Sequence, residues 1–118
     1  MTGITKAAWV LLTALSALWA LNHAVGAFVF AGDDIRPELF VLIALLGVVA
    51  TIVLVGPYRE RRLWAWWVVT AEVVALISVA LITQPRVGVW YLTIGLLMAV
   101  AQLGTLREFR RDRAEQVT

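Results

Sequence analysis

Four long apolar stretches constrain this chain more than any other feature of its sequence. They run at about residues 7–30, 39–55, 63–83 and 87–106, separated by short charged breaks. A helix needs roughly 20 largely apolar residues, and about 17 at the least, to cross the hydrocarbon of a bilayer. Backbone groups in hydrocarbon must find their partners within the segment, which makes such stretches helices. Composition agrees: 62% of residues are hydrophobic and 15% charged, against about half and a quarter in a soluble domain. The pattern predicts an all-α, polytopic membrane protein: a four-transmembrane-helix bundle, up-down-up-down, forming a single membrane domain over 1–118. A water-soluble enzyme, a disordered linker and a disulfide scaffold are all excluded by it.

The breaks set the expected helix ends. The first span, preceded by Lys6, reads as a retained helix because it exceeds the roughly 7–15 apolar residues of a signal-peptide core. Gly32-Asp33-Asp34-Ile35-Arg36-Pro37-Glu38 interrupts the apolar run, and Pro37 suits the first turn of a helix. Gly56-Pro57 is expected to end the second span, since proline offers no N–H and clashes with the preceding turn. Gln84-Pro85-Arg86 makes the third break. Residues 107–118 are expected to be a short charged cytoplasmic tail, a helical continuation that frays. Its Arg107–Arg111 and Glu108–Asp112 pairs set like charges at i,i+4.

Basic residues in short loops orient membrane helices. With both termini cytoplasmic, Lys6, Arg59, Arg61, Arg62, Arg107, Arg110, Arg111 and Arg113 lie inside, and only Arg36 and Arg86 outside. The expectation is therefore a multi-pass protein of the cell membrane with both ends in the cytoplasm. The net charge of +2 and pI near 9.7 follow from those loops and from membrane lipids as partners, so nucleic acid is not expected. Cysteine is absent and His23 is the single histidine. No disulfide, thiolate nucleophile, metal or cofactor is expected on that basis.

Periodicity assigns faces. In the first helix Thr5, Trp9, Thr13, Ser16, Ala20, His23 and Ala27 recur at steps of three and four, opposite Val10, Leu11, Leu18, Leu21 and Val25. Ala44, Gly47 and Thr51 make a small-residue stripe in the second. Gly88, Tyr91, Gly95, Met98, Gln102 and Thr105 make one in the fourth. Small residues let membrane helices approach closely.

Glu72 is the residue of most interest. It lies near the middle of the third span, where an ionised carboxylate costs several kcal/mol unless it is paired or hydrated. Thr13, Ser16, His23 and Gln102 are candidate partners, and His23, Glu72 and Gln102 together suggest a polar ladder across the membrane. That ladder would serve proton relay or proton-coupled transport; the alternative is structural hydrogen bonding between helices. Trp9, Trp64, Trp66 and Trp67 fall at the inner boundary and Trp90 with Tyr91 at the outer, as in an aromatic belt. Arg61 and Arg62 with Trp64 and Trp67 are the candidate lipid-headgroup residues. No catalytic signature is present.

In size, span count and possession of an intramembrane glutamate the chain resembles the small multidrug exporters. Their glutamate lies in the first helix, whereas Glu72 is in the third, so the resemblance is one of architecture. Three functions remain open. The leading one is a structural or accessory protein acting through helix contacts with itself or a larger complex. A homo-oligomeric transporter or channel coupled to protonation of Glu72 is the alternative, and a lipid-modifying enzyme the lesser one.

Overall fold

Each apolar run becomes a long helix. The computed structural model describes residues 2–29, 37–83 and 85–117. Helix α1 spans Gly3–Val29 and α2 spans Pro37–Val53, continued by a π-helical turn over Leu54–Tyr58; α3 spans Leu63–Ile82 and α4 spans Pro85–Val117. All four are long and apolar enough to cross a membrane. Asp33, Asp34 and Arg36 of the first break, and Gln84 of the third, lie outside the described residues.

Helix α1 packs along α2 and α4, while α3 packs along α4 and more lightly on α2. Among the described residues α1 and α3 make no close backbone approach, so they face each other across the bundle. Neighbouring helices run antiparallel: Trp9 of α1 reaches Leu54 at the end of α2, and Ala20, further along α1, meets Gly47, earlier in α2. The faces assigned by periodicity separate cleanly. Thr5, Ser16, Ala20 and His23 are buried and Trp9, Thr13 and Ala27 half-buried, whereas Val10, Leu11, Leu18, Leu21 and Val25 are exposed. In α2 Ala44 and Gly47 are buried, and in α4 so are Gly88, Gly95, Met98, Gln102 and Thr105.

Backbones touch where glycine allows it. A Cβ added at Gly47 would stand 2.8 Å from the Ala20 Cβ and 3.1 Å from its Cα. One added at Gly88 would meet the Ala80 carbonyl oxygen at 2.7 Å. Between these approaches Leu12, Leu54, Val69, Val73, Leu76 and Met98 fill the centre.

One expectation about a helix end needs correction. Gly56-Pro57 does not end the second helix. The chain instead widens into the π-helical turn and continues helical to Tyr58, with Pro57 inside it. A wider turn accommodates the missing proline N–H, and the Leu54 carbonyl accepts the Trp9 indole N–H at 2.8 Å. The segment after Leu106 is helical, as expected, and α4 continues to Val117. Glu108 and Asp112, the like-charged pair, both face Arg61 across the bundle, at 3.7 and 2.8 Å. A cation from the turn before α3 thus offsets the repulsion that the i,i+4 spacing implied.

Candidate functional site

The interior polar residues come together as separate links between helices. Glu72, only 1% exposed, accepts a hydrogen bond from the Ser16 hydroxyl at 3.1 Å on its Oε2. This bond joins α3 to α1 through the middle of the bundle. Its other oxygen, Oε1, is buried and has no hydrogen-bond partner among the described residues.

His23 belongs to a different cluster. Its Nδ1–H donates to the Trp19 carbonyl at 3.0 Å, because a carbonyl can only accept. In the neutral ring Nε2 then accepts the Tyr91 hydroxyl, 2.8 Å away, tying α1 to α4. The indole of Trp19 packs 4.3 Å from the His23 ring and edge-on to Tyr91 at 4.6 Å. Together with Phe40 and Ile94 these rings line a mostly apolar cavity of about 620 Å³ between α1 and α4.

Gln102 makes the third link. Its amide nitrogen donates to the Trp66 carbonyl at 2.9 Å and to the Thr70 hydroxyl at 2.8 Å, joining α4 to α3. A turn further on, Thr105 gives its proton to the Gln102 carbonyl. The Tyr58 hydroxyl must then donate to Thr105 Oγ1. Thr13 joins none of these clusters, since its hydroxyl donates to the Trp9 carbonyl within α1 at 2.8 Å.

The expected ladder therefore divides into three. Of the four candidate partners, Ser16 is the one hydrogen-bonded to Glu72, and His23 and Gln102 are engaged elsewhere. Sequence reading named neither Thr70 nor Tyr58 as a partner, and took the acids Glu108 and Asp112 only as a like-charged pair. The first two were hidden among apolar residues, and the acids became legible only once Arg61 was placed. Among the described residues no group of three or more His, Cys, Asp or Glu side chains is placed to hold a metal.

The charged end has its own geometry. Arg61 takes a left-handed backbone conformation, φ 61°. Its N–H bonds the Tyr58 carbonyl and the Arg62 N–H the Pro57 carbonyl, both at 2.9 Å. This is the two-bond closure of a helix C-terminus, in which glycine usually takes the left-handed place. The Asp112 hydrogen bond, with the charges of Asp112 and Glu108, holds the Arg61 guanidinium above its ordinary pKa. Arg62 lies 3.6 Å from Glu60 at the surface, and Trp64 and Trp67 are exposed. Of the candidate headgroup residues, Arg61 is thus committed to α4, while the other three remain on the surface.

No family model, no curated protein and no solved structure matches the chain.

Proposed function

We propose that this is a multi-pass protein of the cell membrane, with both termini in the cytoplasm, acting as a structural or accessory component. It would work through helix contacts with a second copy of itself or with a larger membrane complex. One observation carries this reading: the buried polar groups are spent on tying helices together. Ser16 with Glu72, His23 with Tyr91, Gln102 with Thr70 and Tyr58 with Thr105 each bridge two elements. A side chain held in such a bond resists the rearrangement that a transport cycle demands. The exposed faces of α1, α2 and α4, with leucine and valine throughout, suit acyl chains or other helices. Purification from native membranes in mild detergent, with crosslinking before extraction, tests the reading. A co-purifying component or a defined homo-oligomer supports it, and a lone monomer overturns it.

A second reading, transport coupled to protonation of Glu72, draws on Glu72 Oε1, unpartnered among the described residues. A carboxyl with a free oxygen at mid-depth can take up and release a proton if a neighbouring copy or a substrate brings it a path. Proton flux in proteoliposomes that disappears in Glu72→Gln would favour transport. No flux in either protein, with only a change in thermal stability, removes that reading.

A further inference from the structure

Where α3 begins and α4 leaves the apolar zone, the two helices enclose an open cavity of about 1000 Å³. Its lining mixes apolar Leu63, Trp67 and Phe109 with charged Glu60, Arg61, Arg62, Asp112 and Arg113. Three cations line it, but they are not equivalent. Arg61 is spent on Asp112 and Glu108. Arg62 has a side chain 65% exposed and, among the described residues, pairs only with Glu60, at 3.6 Å. An exposed pair of that kind is worth little and exchanges readily. Arg113 is exposed on the facing helix. The N-cap residue of α3, Arg62, makes no side-chain capping hydrogen bond, and the helix dipole adds a weak preference for negative charge.

We propose that this cavity binds the phosphate of an anionic membrane lipid, with Arg62 and Arg113 as its cations and Trp67 and Leu63 beside the glycerol and first methylenes. The chemistry follows from the mixed lining. Two guanidiniums that are free to turn inward suit a phosphate, whose oxygens accept their N–H groups in pairs. The apolar residues suit a phosphate that is joined to a chain. Glu60 and Asp112 also line the cavity; Asp112 is neutralised by Arg61, and a phosphate would displace Glu60 from Arg62. The proposal rests on the membrane reading above, which sets this end in the cytoplasmic leaflet, where anionic lipids concentrate.

The test reconstitutes the full chain in vesicles of phosphatidylcholine alone or mixed with phosphatidylglycerol, then measures the lipid retained in mild detergent by native mass spectrometry. Preferential retention of phosphatidylglycerol is expected. Arg62→Gln and Arg113→Gln should each lower that preference about fivefold, the worth of one basic residue at an anionic surface. The Arg107→Gln/Arg110→Gln double variant should leave it unchanged, and thermal unfolding of all variants should match wild type. No preference, or an equal loss in the Arg107/Arg110 control, overturns the site. Displacement by inorganic phosphate also overturns it, in favour of a soluble anion. Wild-type protein that washes from membranes at alkaline pH would defeat the membrane reading itself and take the site with it. A lost lipid preference defeats the site alone.

Discussion

Ser16 and Glu72 meet through one hydrogen bond in the centre of the bundle. Hydrogen bonds between membrane helices are worth about 0.6 kcal/mol on average and about 1.7 at most. Ser16→Ala should therefore lower stability by about 1 kcal/mol in detergent unfolding, while Glu72→Gln, which keeps an acceptor oxygen for Ser16, should change it less. That Glu72 turns inward follows from the cost of an acid in lipid, and is legible in sequence. That Ser16, and not His23 or Gln102, is its partner depends on how the helices rotate and how deep each lies. Arg61 offers a cleaner separation. Its left-handed backbone costs about 1–2 kcal/mol relative to glycine, and its side chain recovers part of this through Asp112 and Glu108. Arg61→Ala keeps the strain and loses the ion pairs, whereas Arg61→Gly loses both. Unfolding should find the glycine variant more stable than the alanine variant by about 1 kcal/mol; equal stabilities would show that the turn is unstrained.

At the scale of elements, two glycines in the second helical segment should respond oppositely to the same substitution. Gly47 has the Ala20 backbone against it, and Gly56 has open space around the position of a new Cβ. Overpacking typically costs about 1–3 kcal/mol, so Gly47→Ala should destabilise by that order and push α1 from α2. Gly56→Ala should be neutral or stabilising by about 0.5–1 kcal/mol, through lost freedom of the unfolded chain. Thermal melts of the pair in one detergent decide it. The π-helical turn carries its own expectation. Trp9→Phe strips the Leu54 carbonyl of its donor and should cost about 1–3 kcal/mol, the penalty for an unmet buried acceptor. The rule that proline ends a helix fails here where the backbone widens into the π-helical turn and the Leu54 carbonyl finds a donor on another helix. Nothing near Pro57 in sequence announces Trp9.

For the whole molecule, the loop charges make a directional claim. The chain contains no cysteine, so single cysteines can be labelled without background. Thr2→Cys and Arg110→Cys should react with a membrane-impermeant maleimide only from the cytoplasmic side, and Val87→Cys only from outside. The reverse pattern would invert the proposed orientation. The Arg61 bridge has a whole-molecule role as well, since it ties the end of the first hairpin to the far extension of the second. Its surface-facing pairs should weaken with salt, loosening the end of α4 before the bundle itself unfolds, as hydrogen exchange of residues 107–117 would report.

What the sequence determined alone is the set of four helices and, in the first, second and fourth, the face turned inward. Both are local properties: length and hydropathy decide whether a segment is helical in lipid, and a period of 3.6 decides which residues share a face. The tertiary structure decided the pairings, because a hydrogen bond between helices depends on relative depth and rotation at the scale of an ångström. Ser16 found Glu72, Tyr91 found His23 and Thr70 found Gln102 by that geometry. Long-range partners also overruled two local rules, at Pro57 and along residues 107–117, where a donor or a cation from elsewhere in the chain met the need that the local sequence left open.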